Sequence, residues 1–157
     1  MGIATTSGTK VSISTTSTAP ATYDDTGYAA LTYAEIGSIE SVSGFGDESS
    51  EVTFDELGDG RTKKLKGQKN AGNMELMMGL DDEDAGQGYL YTAEADATTN
   101  DWHFKVEVPN SLGSANAVRY FSGKVMSVRE TYDTANNVIK LNTTVGINTA
   151  IVKVDAT

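Results

Sequence analysis

Between Asn73 and Ala95 the chain changes its hydrophobic period within a few residues, and that switch limits most strongly what it can fold into. Over Asn73–Leu80 the apolar side chains Met74, Leu76, Met78 and Leu80 occupy alternate positions, the pattern of a strand with one buried face. From Ala85 to Ala95 the spacing is that of a short helix. Four consecutive acids, Asp81 to Asp84, stand at the boundary. Carboxylates at a helix start satisfy its free N–H groups and sit at the positive end of its dipole. Asp81 and Asp84 are therefore read as helix-capping residues. A calcium loop would need oxygen ligands at alternating positions around a fixed glycine, which four successive acids do not supply.

Alternation recurs along the chain. It places Val11 and Ile13 on one face of Lys10–Thr15. In Trp102–Val108 it sets Trp102, Phe104, Val106 and Val108 against His103, Lys105 and Glu107. In Val138–Ile147 it points Ile139, Leu141, Thr143, Val145 and Ile147 inward. Tyr33–Ser43 reads as a strand with a bulge at Gly37–Ser38, and Ala117–Tyr132 as a strand pair or one strand bent at Gly123. Turn signals lie at Gly58–Gly60, Asp96–Asp101, Pro109–Gly113 and Asp133–Asn137. The sum is about seven to nine strands and one helix. This predicts a mainly β domain: an antiparallel β-sandwich or partly closed β-barrel with one flanking helix. Two segments lack a clean period. Thr16–Thr32 reads as an extended arm ordered by a partner, and Gly44–Gly72 as a long, charged loop ending in a polar turn at Gly67–Gly72. A loop of that length in a small domain is a functional or partner-binding element.

Several function classes drop out. The chain carries 22 acids against 12 bases, a formal charge of -10, whereas a duplex nucleic-acid groove needs a clustered cationic face. The single basic cluster is Arg61–Lys69. There is no cysteine, so disulfides and thiolate metal sites are excluded. The lone histidine, His103, falls on the polar side of its strand and is expected to be solvated or at an interface. Gly67–Gly72 has neither the spacing nor the Lys-Ser/Thr ending of a phosphate loop. No constellation meets the geometric needs of a catalytic site, so neither an enzyme nor a cofactor is expected. No apolar run approaches the roughly 20 residues that cross a bilayer, and the N-terminus lacks the apolar core of a secretory signal.

The ordered set of these pieces resembles the major tail tube proteins of bacteriophages with long, non-contractile tails. The set comprises Gly67-Gln68-Lys69-Asn70-Ala71-Gly72, an alternating strand, and Asp81–Gln87 opening a helix. It continues with Trp102–Val108 ending in Pro-Asn, Tyr120–Val128 holding Phe121-Ser122-Gly123, and the closing strand Val138–Ile147. The resemblance covers Tyr33–Val154. It implies a structural virion protein that forms stacked hexameric rings, a conduit for viral DNA that passes without specific binding. It implies a domain over residues 33–157 with an N-terminal arm over 1–32, and no C-terminal immunoglobulin-like domain. Gly44–Gly72 would be the inter-ring loop, with Gly44, Asp47, Glu51, Phe54, Leu57, Arg61, Lys63, Lys64 and Lys66 as its contact residues. Asp55, Glu75 and Glu107, on polar faces of strands, are candidates to face the lumen. Implied partners are further copies of the chain and the tape measure, tail-tip and tail-terminator proteins, with no membrane involved. Assembly would occur in the host cytoplasm and the product would reside in the virion tail. Two other readings stand beside it: the tube of a secretion-type injection machine, and a monomeric β-sandwich binding module.

Overall fold

The alternating segments form strands, and the structure, a computed structural model, describes residues 3–110 and 115–156. In chain order the elements are β1 (Lys10–Ser14), α1 (Asp25–Ala29), β2 (Tyr33–Ile36), β3 (Ile39–Val42), β4 (Glu48–Glu56) and β5 (Arg61–Asn70). They continue with β6 (Asn73–Gly79), α2 (Ala85–Ala95), β7 (Trp102–Val108), β8 (Ala117–Thr131), β9 (Lys140–Ile147) and β10 (Val152–Val154). Eight strands form one antiparallel sheet in the order β2-β1-β7-β8-β9-β6-β3, with β10 also paired to β8. The sheet curls without closing into a barrel, and β4 and β5 stand apart as a two-stranded ribbon. Ser111–Gly113 of the expected Pro109 turn lie outside the described residues.

The curl comes from β8. Its first half pairs with β7 as far as Trp102↔Gly123, and its second half pairs with β9 from Gly123↔Ile147 to Thr131↔Lys140. One long strand thus serves both layers, bent where the sequence placed Gly123. A Cβ at Gly123 would lie 2.1 Å from the Gly146 carbonyl oxygen, so a side chain there is incompatible with the approach of β9. Inside the curl, Met74, Leu76 and Met78 of β6 face Leu141 and Val145 of β9. Phe104 stacks on Phe121 at 5.5 Å, and Phe45 tilts against Phe121 at 5.3 Å.

One inward position is polar. The Thr143 hydroxyl is buried and, among the described residues, has no hydrogen-bond partner. An unpaired buried hydroxyl keeps its desolvation cost. Thr143→Val is therefore expected to raise stability by about 1 kcal/mol, roughly 2–4 °C in melting temperature for a chain of this size. Differential scanning calorimetry of the variant measures it, and an unchanged or lower midpoint refutes it.

The helix start is built as the acids suggested, with one correction. Asp84 is the N-cap of α2, its carboxylate accepting from the Gln87 N–H at 3.1 Å and the Gly37 N–H at 2.9 Å. Asp81 does not cap α2. Its carboxylate accepts from the Glu83 N–H at 3.0 Å and its carbonyl from the Asp84 N–H at 3.1 Å, closing the turn ahead of the helix. α2 buries Leu90 and Ala93 against β8, β2 and β1 and so plugs one mouth of the curled sheet. Gly86 permits this, since a Cβ there would sit 2.3 Å from the Glu35 carbonyl oxygen. The bulge expected at Gly37–Ser38 is a corner instead. Ser38 takes a left-handed φ of 59°, and the chain leaves β2 at one end of the sheet to begin β3 at the other.

The expected N-terminal arm is also corrected. β1 lies between β2 and β7 within the sheet, not on an arm. Within Thr16–Thr32 a single turn of helix, α1, is capped by Asp24, whose carboxylate accepts from the Gly27 N–H at 2.8 Å. α1 seats Tyr28 flat against Tyr120 at 5.5 Å. Beneath it lies the histidine that alternation had placed toward solvent. His103 is 1% exposed. Its Nε2 lies 2.9 Å from the Thr18 carbonyl, which accepts, so that nitrogen carries the proton and Nδ1 accepts from the Ser122 hydroxyl at 2.6 Å. The Tyr28 hydroxyl, 2.8 Å from Ser122 Oγ, completes the chain. Burial lowers the His103 pKa below its ordinary 6.5, so the fold favours the neutral ring. The stability this contributes is complete above pH 6.5 and is lost as pH falls from there toward the lowered folded value. Melting temperature is expected to fall as pH drops below 6.5, before the carboxylates begin to titrate. His103→Gln should flatten that slope; an unchanged slope in the variant would assign it elsewhere.

Candidate functional site

The segment expected as a loop is a β-ribbon. β4 and β5 pair from Glu48↔Asn70 to Glu56↔Arg61 and, among the described residues, with no other strand. Ten residues of β5 at about 3.3 Å each give a reach of roughly 30 Å. The turn lies where glycines announced it, with the Asp59 and Gly60 N–H groups donating to the Glu56 carbonyl and Gly60 at a φ of 63°. Gly67–Asn70, read as a turn, continue β5. Gly67 lies beside Ser50, where a Cβ would come within 2.3 Å of Ser50 Oγ, and the register shifts there. The true turn into β6 is Ala71–Gly72, with Gly72 at a φ of 75°.

Alternation gives the ribbon two unlike faces. Val52 opposes Leu65 and Phe54 opposes Lys63 on one face, while Glu51, Thr53 and Asp55 lie on the other with Lys64 and Lys66. Phe54 is 58% exposed and Leu57, at the tip, is fully exposed. A two-stranded ribbon has no core of its own to cover such side chains. The bases concentrate on β5: Arg61, Lys63, Lys64, Lys66 and Lys69. Of these, Lys63 pairs with Glu56 at 2.6 Å and Lys64 with Glu51 at 3.5 Å. Of the anticipated contact residues, Gly44 and Asp47 sit at the ribbon's root, Glu51 and Phe54 on β4, Leu57 at the tip, and the four bases on β5.

The second surface is the half of the sheet made by β3, β6, β9 and the second half of β8. Among the described residues β3 pairs with β6 alone, and β8 beyond Gly123 pairs with β9 alone, so this four-stranded unit is unpaired at both edges. Unpaired edges are templates for another chain. Its outer face carries Ser41, Glu75, Met77, Asn142, Thr144 and Ser127, with Arg129 opposite Asn142 and Lys124, bound to Asp101 at 2.9 Å, opposite Gly146. On the same face Lys140 binds Glu40 at 2.8 Å. The three candidate lumen acids lie on three different surfaces. Glu75 is on this face, and Asp55 is on the charged side of the ribbon. Glu107 is on the other half-sheet, half-buried and bonded to Lys105 at 3.1 Å. One sheet face cannot present all three.

Ser122 and His103 have the spacing of a nucleophile and base, but both are buried beneath Tyr28, where no substrate reaches them. Among the described residues no three metal-ligating side chains converge, and no helix is long and apolar enough to cross a membrane.

The fold and its surfaces define an assembly subunit: a β-domain with a sheet open at both edges and an exposed apolar ribbon. Over residues 2–153 the chain matches the family described as phage tail tube protein, TTP, and it belongs to that family, a structural component of the virion. No curated protein sequence matches it. Among solved structures it is similar to a chain of the anti-feeding prophage baseplate, with TM-score 0.73 and 12% identity over 99% of this chain and 97% of that one. It is also similar to a chain of the PVC extracellular contractile injection system sheath/tube terminator, with TM-score 0.70 and 14% identity over 98% of each. A third similar structure is the SPP1 tail tube, with TM-score 0.60 and 13% identity over 92% of this chain and 75% of that one.

Proposed function

We propose that the chain assembles into hexameric rings that stack into the phage tail tube, the conduit for DNA during ejection. The observation that carries this is the four-stranded half-sheet with two unpaired edges. Joining the β3 edge of one subunit to the β8 edge of the next satisfies both edges with a single heterologous contact, which closes into a ring when the rotation fits. The ribbon, with Phe54 and Leu57 at its outer end, reaches the adjacent ring. Tape measure, tail-tip and tail-terminator proteins would meet the tube inside and at its ends, with assembly in the host cytoplasm. The outer face bearing Glu75 is assigned to the lumen. Most of its side chains are uncharged Ser, Thr and Asn, and its bases are offset: Lys140 is paired with Glu40, Lys124 with Asp101, and Arg129 shares the face with Glu75, which leaves no net positive patch to hold phosphates.

Electron microscopy of the purified protein, dilute and concentrated, tests the assembly. Hollow six-fold rings or tubes are expected. Dispersed monomers at every concentration, even with purified tail tips as seeds, would favour a monomeric module instead. The lumen assignment has its own test: Glu75→Lys is expected to leave tube length unchanged and to slow DNA release in ejection assays, and unchanged kinetics would refute it. The same ring would serve a secretion-type injection machine, to whose components the chain is similar in fold. A sheath gene beside this one would favour that reading, and a tape-measure gene without a sheath the phage tail.

A further inference from the structure

The curled sheet has two poles. β3 and β9 end, and β6 begins, at the pole where the ribbon is rooted; β6 ends at the other, where α2 starts. At this far pole the segment from β8 to β9 exposes an apolar patch. Val138 is 68% exposed, Tyr132 56% and Ile139 38%. The patch is one surface with the start of α2: the Ile139 carbonyl accepts from the Leu80 N–H at 2.9 Å, and the hydroxyls of Tyr91 and Tyr132 both donate to the Glu130 carboxylate. Its rim is acidic, with Asp81, Asp82, Glu83 and Asp133 all exposed. Lys140, the nearest base in the strand pairing, is taken by Glu40.

We infer that this patch receives the tip of the ribbon from a second copy of the chain, with Leu57 and Phe54 covering Val138, Ile139 and Tyr132 while Arg61 faces the acidic rim and Lys63 exchanges its own acids, Glu56 and Asp59, for those of the rim. Two independent features match. Each surface is apolar and unpartnered within its own subunit, and Arg61, which makes no ion pair among the described residues, offers a base to the carboxylates ahead of α2, while Lys63 bridges Glu56 and Asp59 within the tip. Their positions at opposite poles are what head-to-tail stacking requires, since a ribbon leaving one pole meets the other pole of the next subunit. A subunit whose tip and receptor shared a pole would pair face to face and stop. The inference rests on the stacked-ring reading and specifies which surface receives the tip.

The chain has no cysteine, so an engineered pair reports without background. Tubes of the double variant Leu57→Cys with Val138→Cys are expected to give a ladder of disulfide-linked chains under mild oxidation. Tubes of either single variant should give none. Both positions are exposed, so folding is not at stake. Charge exchange provides a second readout. Arg61→Glu with Lys63→Glu, and separately Asp82→Lys with Glu83→Lys, should each reduce the yield of tubes at least tenfold, and mixing the two reversed sets in one chain should restore it. Normal tubes that do not cross-link, or reversals that leave growth unchanged, would overturn the inference while leaving stacking intact. Failure of the unmodified chain to form tubes even from tail-tip seeds would overturn both.

Discussion

Removal of Phe54–Lys63 is expected to leave a folded domain that forms no tubes. Phe54 and Lys63 oppose each other in the ribbon, so closing Thr53 to Lys64 with an Asn-Gly turn shortens it without changing the register of what remains. The ribbon shares no ladder with the main sheet, and the deleted residues lie outside the core cluster. The thermal midpoint should therefore move by no more than about 2–4 °C, the equivalent of roughly 1 kcal/mol. Assembly loses far more. Burying side chains such as Phe54 and Leu57 is worth about 1.5–3 kcal/mol each, so their loss at every ring contact corresponds to about a thousandfold in association. Sedimentation and electron microscopy of the shortened chain decide the matter. Tubes of ordinary length would remove the ribbon from the stacking contact, and an unfolded product would show that the ribbon supports the domain.

The parts of the fold that sequence disclosed are those with a single strong local cause. The boundary of β6 and α2 was legible because Met74, Leu76 and Met78 alternate up to a glycine and Asp84 can cap only a helix that starts beyond it. Gly123 was legible because a glycine amid large strand residues marks a close backbone approach. His103 was not, because alternation identifies a polar face only where one side of the strand meets water. β7 is central, and its second face is covered by the α1 segment. That segment hid for the converse reason. It is fixed by one buried tyrosine and a chain of hydrogen bonds through Ser122, which leave no period. Gly67–Asn70 misled because a ribbon without a core needs no apolar alternation. Of the candidate site, the ribbon residues were legible from their length and charge. The unpaired edges of β3 and β8 were not, since an edge is a property of pairing, and pairing across the chain is absent from any one strand's pattern.

Replacing Gln87 with alanine is expected to be the most damaging change outside the apolar core. The side chain is almost wholly buried and serves three backbone groups: it accepts from the Asp81 N–H at 3.0 Å and donates to the carbonyls of Gly37 at 3.2 Å and Gly79 at 2.9 Å. Those groups belong to the turn before α2, the corner between β2 and β3, and the end of β6. A single amide thus ties the helix start to both ends of the sheet. With the amide gone, each group keeps its desolvation cost without a partner, about 1–3 kcal/mol apiece where water cannot enter. The expected net loss is about 3 kcal/mol, or roughly 6–12 °C. Two further variants separate hydrogen bonding from packing. Gln87→Leu keeps most of the volume and should be nearly as unstable as the alanine form. Gln87→Glu should be worse near neutrality, because a carboxylate would face two carbonyl oxygens, and its folded pKa would be raised. A raised folded value means that stability is present at low pH and lost as pH rises through it, so this variant alone should regain stability on acidification below about pH 5. Thermal melts of the three proteins against pH measure this. A leucine variant as stable as the parent would show that the site needs only its volume filled.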